Sequence, residues 1–223
     1  DSEPMYYENL PFRFDTRGII YNKRGHVYKV NLGTNKFNKI VDGDKNQIIS
    51  IGSLVESDKG IVFSYEKYNS KGTRLEEKVG SLETKKIKEI HSRGSMGNLF
   101  YYEGDLHAVG LKNRFDWPTN TSILKISRDG KVSFKDRTFD RNVVKAEVNN
   151  SVLYFLYEDS GKTLLRDGTN NIDLIDAEIT VKDFAFNNDK TYVIANSFSK
   201  PDEVFELNNG QLEKTSKANE FFN

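Results

Sequence analysis

Apolar and polar residues alternate along this chain in short stretches, and the apolar runs are bounded by Asn, Asp and Gly. Such a period of two predicts β-strands joined by tight turns. Gly60-Ile61-Val62-Phe63-Ser64-Tyr65, Ser151-Val152-Leu153-Tyr154-Phe155-Leu156-Tyr157 and Lys190-Thr191-Tyr192-Val193-Ile194-Ala195 read as buried strands. Asn98 to Tyr102 leads through Glu103-Gly104-Asp105 into a further strand at Leu106 to Val109. The turn residues suit hairpins because Asn, Asp and Gly tolerate positive φ. Helical periodicity is almost absent, and Lys86 to His91 also reads as a strand.

A larger rhythm lies above these strands. Alternating segments recur at His26–Leu32, Thr73–Val79, Ser122–Ile126, Lys162–Leu165 and Asp202–Leu207. Their spacing of about 40 to 50 residues is that of propeller blades. The expected fold is all-β: a β-propeller, or an arc of one, with about four to five four-stranded antiparallel blades. Residues 1–223 read as one such domain, with an incomplete leading blade at 1–25, repeated blades over 26–200 and an incomplete last blade at 201–223. Pairing of the leading strands with the trailing ones would close a small ring, and without it the chain is an arc; both remain open at this point. Strand edges left free on an arc would favour homo-oligomers.

Composition narrows the function. The 33 basic and 33 acidic side chains cancel, so no net field favours nucleic acid or an anionic membrane. No apolar run is long enough for a membrane span. Cysteine is absent, which removes disulfides and thiolate chemistry and fits a reducing, cytoplasmic compartment. No cofactor motif is present, and no metal site is expected. The three histidines, His26, His91 and His107, lack the close spacing of strong metal sites. Asp42-Gly43-Asp44-Lys45-Asn46 starts like a calcium loop, but the sixth position is Gln47 and the twelfth is Ser53, so an ordinary turn is expected. The catalytic elbow G-x-S-x-G is missing; Gly94-Ser95-Met96-Gly97 has its glycine one residue too close to the serine. The segment from Lys112 to Asn120 interrupts the repeat as an insertion and contains Arg114 and the single tryptophan, Trp117. Such insertions commonly carry function.

Three phrases carry a family resemblance. Leu10-Pro11-Phe12-Arg13-Phe14-Asp15-Thr16-Arg17-Gly18, then His26-Val27-Tyr28-Lys29-Val30 and Lys39-Ile40-Val41-Asp42-Gly43-Asp44, resemble the propeller of the prolyl oligopeptidase family, in particular its acylaminoacyl peptidase branch. Pro201 to Leu207 and Gln211 to Asn219 resemble the last blade of those propellers. The resemblance implies a serine peptidase in two parts, with the α/β-hydrolase part absent from this chain and the propeller admitting short peptides to it. The chain itself would then hydrolyse nothing, and its partners would be that hydrolase domain and short peptide substrates. In such enzymes charged propeller side chains reach the substrate cavity, which makes Arg13, Arg17, Arg24, Arg114 and Trp117 the candidate substrate-contacting residues. The alternative is a stand-alone propeller that scaffolds protein–protein contacts, resembling the TolB-type modules.

Overall fold

In the computed structural model, hairpin follows hairpin along the chain. The residues described are 13–14, 18–19, 24–57, 60–69, 71, 74–83, 86–91, 94–113, 119–175, 178–216 and 219. Among them β1 (Arg13–Phe14) pairs with β2 (Gly18–Ile19), and β3 (Val27–Asn31) with β4 (Lys36–Val41). A single helical turn, α1 (Gly43–Asn46), comes next. Four four-stranded sheets follow, each in sequence order. The first holds β5 (Ile48–Ser57), β6 (Gly60–Tyr68), β7 (Leu75–Glu83) and β8 (Lys86–His91). The second holds β9 (Ser95–Tyr102), β10 (Asp105–Leu111), β11 (Ser122–Ile126) and β12 (Val132–Phe134). The third holds β13 (Asn142–Asn149), β14 (Val152–Asp159), β15 (Lys162–Asp167) and β16 (Ile172–Asp173). The fourth holds β17 (Thr180–Asn187), β18 (Lys190–Ser197), β19 (Lys200–Asn208) and β20 (Gln211–Lys214). Antiparallel meanders of four strands are the blades that the repeat predicts.

The sequence makes these elements for local reasons. Apolar runs such as Leu106 to Gly110 in β10 are buried residue after residue, as expected for strands covered on both faces. Two-residue turns join many of the strands, with positive φ at both central positions: Glu103-Gly104, Asn150-Ser151 and Asn209-Gly210. That is the type I′ geometry, whose twist matches the flanking strands. The register slips between Val143 and Lys145 in β13 and again between Val181 and Asp183 in β17. A bulge at the same place in successive sheets marks them as copies of one unit.

The blade boundaries differ from those read in the sequence. The recurring segments at 122, 162 and 202 are the third strands of their sheets, not the first, and the sheets start at Ile48, Ser95, Asn142 and Thr180. Residues 201–214 therefore do not open an incomplete last blade; they lie in β19 and β20, which complete the sheet begun by β17. The reason is that each hairpin carries the same alternation and turn chemistry, while blade membership depends on which strands pair across the next turn.

By contacts the chain divides into two compact units, 1–99 with 128–131, and 100–127 with 132–223. The first has a core of Val27, Val41, Ile48, Phe63 and Tyr65, and holds the buried Lys78 between Glu89 at 2.9 Å and Glu76 at 3.5 Å. The second has two cores. One gathers Phe100, Tyr102, Val109, Ile123, Val143, Leu153, Phe155 and Tyr157; the other gathers Leu156, Leu165, Val181, Phe184 and Val193.

Candidate functional site: a cation-rimmed cleft

In the second unit the ends of β10, β11 and β12 and the turns around β13 and β15 enclose two adjoining cavities. The larger, about 800 Å³, is lined by Leu111, Lys112, Thr119, Asn120, Ser122, Phe134, Asp136, Arg137, Phe139 and Asp140. The smaller, about 210 Å³, shares Ser122, Asp136 and Phe139 and is floored by Ile123, Val143, Leu153 and Phe155, with Lys135 and Asn171 at its polar side. Together they pair an apolar pocket with a polar, charged neighbour, and a cleft of this size can hold a ligand.

Phe139 is the wall between the two. Its ring meets Phe155 and Tyr157 edge-on at 5.1 and 5.2 Å, and the Arg166 guanidinium lies over it at 5.6 Å. The floor is fixed by the turn after β15. Asp167 Oδ1 accepts from the amides of Thr169 (2.8 Å) and Asn170 (2.9 Å), and Oδ2 accepts from Asn170 Nδ2 (2.9 Å). Thr169 Oγ1 in turn accepts from the Leu153 amide (3.0 Å) and bonds the Tyr102 hydroxyl (3.2 Å). Gly168 is required at the crossing, since a Cβ there would meet the Phe155 ring at 2.6 Å.

The charges are arranged unequally. Asp136 Oδ1 accepts from both the amide and the hydroxyl of Thr138 at 2.7 Å, and these bonds hold its carboxyl below the usual range. Asp140 Oδ1 accepts from Asn120 Nδ2 at 3.3 Å. Lys112, Lys135 and Arg137 form no ion pair among the described residues; Lys135 Nζ stands 4.9 Å over the Tyr102 ring and Lys112 Nζ 5.9 Å from that of Phe134. Both carboxylates accept bonds from neighbouring residues, and they line the cleft together with the three cations. Covalent catalysis has no support here: Ser122 Oγ donates to the Asn120 carbonyl at 3.5 Å, a group that cannot remove its proton. Behind the cleft His107 is buried against Phe100 and Tyr102, and burial lowers its pKa, which keeps the imidazole neutral.

Of the residues singled out in the sequence, few fall among the described ones. Arg114 and Trp117 lie outside the described residues, as does Arg17; Arg13 is described only as a position in β1. Arg24 lies in the first unit, near enough to Tyr68 to oppose the rise that burial causes in that phenol's pKa. The insertion contributes more than its two named members, because Lys112, Thr119 and Asn120 all line the larger cavity.

One further cluster, in the first unit, gathers the histidine and the acidic run noted in the sequence. His26, Asp42 and Asp44 place ligand-type atoms within 4.8 Å of one another. The calcium-like run is wound into α1 instead of a loop: Asp42 caps the turn by accepting from the Asp44 amide at 3.1 Å, and Gln47 closes it at φ 56°. His26 Nδ1 accepts the Gly43 amide at 3.1 Å, which puts the ring proton on Nε2, 3.9 Å from Asp44 Oδ2. Neither ring nitrogen then offers a lone pair to a metal, and the cluster serves as a staple between strand and helical turn. Ser95 likewise begins β9 in a sheet, with no strand-to-helix elbow around it.

No protein-family model matches the chain, and no curated protein matches it in sequence. Solved structures do match. Acylaminoacyl peptidase from Pyrococcus horikoshii superposes with a TM-score of 0.73 at 13% identity, over 99% of this chain and 35% of that one. The β-propeller domain of the Trilobed protease from Pyrococcus furiosus matches with a TM-score of 0.59 at 12% identity, over 87% of this chain and 76% of that one. The fold is a β-propeller. A puromycin-hydrolysing peptidase of Mycobacterium tuberculosis shares it, with a TM-score of 0.58 at 13% identity over 81% of this chain. The propeller spans about a third of the length of the acylaminoacyl peptidases it matches, 35%. No helix among the described residues is long and apolar enough to cross a membrane.

Proposed function

We propose that this chain is the non-catalytic β-propeller of a serine peptidase of the prolyl oligopeptidase type, and that it controls which short peptides reach a separate α/β-hydrolase domain. The observation that carries the reading is the superposition of 99% of the chain on acylaminoacyl peptidase, of which it spans 35%. The phrases around Leu10–Gly18 and Lys39–Asp44 point the same way. In this reading the hydrolase performs acyl transfer through its own triad, and the propeller supplies a filter and one wall of the substrate cavity. Large folded proteins are excluded by size, and short peptides are retained by side chains of the propeller. Arg13, Arg17, Arg24, Arg114 and Trp117 are the proposed contacts.

The test compares this chain with the longest chain its gene encodes, using short acylated and free peptides. The expected result is cleavage by the longer chain only, abolished by a serine-directed inhibitor. If neither chain cleaves, the peptidase reading falls and the scaffold of protein–protein contacts takes its place.

A further inference from the structure

The cleft of the second unit has a polarity that the gating role leaves unexplained. Three cations open onto it without an ion-pair partner among the described residues: Lys112 and Arg137 in the larger cavity, Lys135 beside the smaller. Its two carboxylates are held by neutral neighbours, Asp136 by Thr138 and Asp140 by Asn120, and stay ionised, so three cations against two anions leave the rim an excess of one positive charge. The smaller cavity, about 210 Å³, has an apolar floor of Ile123, Val143, Leu153 and Phe155 and room for a single large side chain. An unpaired cation next to an apolar pocket recognises a group that is apolar and anionic within a few bonds. A peptide carries that combination at one place, its C-terminal residue, where the α-carboxylate is two bonds from the side chain's Cβ.

We propose that this cleft binds the C-terminal residue of short peptides that end in an aromatic or large aliphatic side chain. The side chain enters the smaller cavity against Phe155 and Phe139. The carboxylate stays at its mouth, where Lys135 and the cations of the larger cavity, Arg137 and Lys112, meet it. The rest of the peptide lies in the larger cavity, where Asn120, Thr119 and Ser122 offer polar groups to its backbone. The choice of a peptide as the anion rests on the peptidase reading above; the preference for an apolar anion rests on the cleft alone.

The experiment uses the intact 223-residue chain and titrates it calorimetrically with N-acetyl-Ala-Phe, its C-terminal amide and N-acetyl-Ala-Gly. The free acid ending in Phe binds; the amide and the Gly acid each bind about tenfold more weakly. Lys135→Gln and Arg137→Gln each weaken the acid about threefold and leave the amide unchanged, and the difference shrinks as salt is raised. Both side chains are exposed, so the variants keep the wild-type circular dichroism spectrum. Equal affinity for acid and amide overturns the proposal. So does a loss that neither substitution produces, or no binding of the acid up to about 10 mM. These outcomes leave the gating role standing, because that role is decided by cleavage in the longer chain; conversely, binding of the acid by a chain whose longer form cleaves nothing would retire the peptidase and keep the cleft.

Discussion

Replacing Thr169 by Val isolates one junction on which the second unit depends. The two side chains have nearly the same shape, so packing is kept while Oγ1 is removed. Two bonds go with it: the one accepted from the Leu153 amide at 3.0 Å and the one shared with the Tyr102 hydroxyl at 3.2 Å. Leu153 is 1% exposed and Tyr102 4% exposed, so both partners are buried although Thr169 itself is exposed. A buried donor left unsatisfied costs about 1–3 kcal/mol, and the amide of Leu153 is such a donor. The expected loss is about 2 kcal/mol, or about 4–8 °C in Tm for a unit of this size. Thr169→Ser keeps the hydroxyl and loses only a methyl, and is expected to stay within about 1 kcal/mol of wild type. Tyr102→Phe removes one of the two bonds, and a double-mutant cycle with Thr169→Val should show coupling of about 0.5 kcal/mol or more. Urea unfolding followed by circular dichroism measures all five chains, the double mutant included. If Thr169→Val is as stable as wild type, or if Ser is no better than Val, the junction does not hold the sheets together and the reasoning fails.

Two further outcomes follow from the charges. Glu203 is held below the usual carboxylate range by Lys214 and Ser216, and Asp136 by Thr138, while burial lowers the pKa of His107. In all three the unfolded chain takes up protons first, so stability is full above about pH 6.5, falls as His107 titrates and falls further below about pH 4.5; a urea midpoint unchanged between pH 7 and pH 3 contradicts the assignment. Lys145 joins β13 to β17 through Asp183 Oδ1 at 2.6 Å and the Phe184 carbonyl at 2.9 Å, with its ammonium 4.6 Å over the Phe184 ring. Lys145→Met keeps the stem and should cost about 1 kcal/mol, part of it lost in 1 M salt, as read from denaturation at two salt concentrations.

The strands were legible because their signal is local. The alternation and the Asn-Asn-Asp or Glu-Gly turns need only neighbouring residues, and β6, β10, β14 and β18 lie where the apolar runs put them. Blade phase was not legible, because the hairpin from Lys162 and the hairpin from Thr180 carry the same pattern and differ only in which strand they join. The one-turn helix at Gly43–Asn46 was hidden for a similar reason. Asp42 serves a calcium loop and an N-cap equally well, and the choice is made by His26, sixteen residues away in sequence, whose Nδ1 takes the Gly43 amide.

The cleft shows the same limit more sharply. Its larger cavity is foreshadowed by the insertion from Lys112 to Asn120, which breaks the repeat where a ligand site is expected. Its floor is not foreshadowed at all, since Ile123, Val143, Leu153 and Gly168 belong to four separate segments and are ordinary strand or turn residues in each. Yet the two parts divide the work. Asp167 is buried, Gly168 is tightly approached and Thr169, though exposed, bonds the Leu153 amide, so substitutions there change stability. Arg137 and Lys135 are exposed and carry no ion pair among the described residues, and Lys135's contact with the fold is its place over the Tyr102 ring. A site whose recognition residues can be altered without unfolding the scaffold is one whose specificity can change while the propeller stays the same.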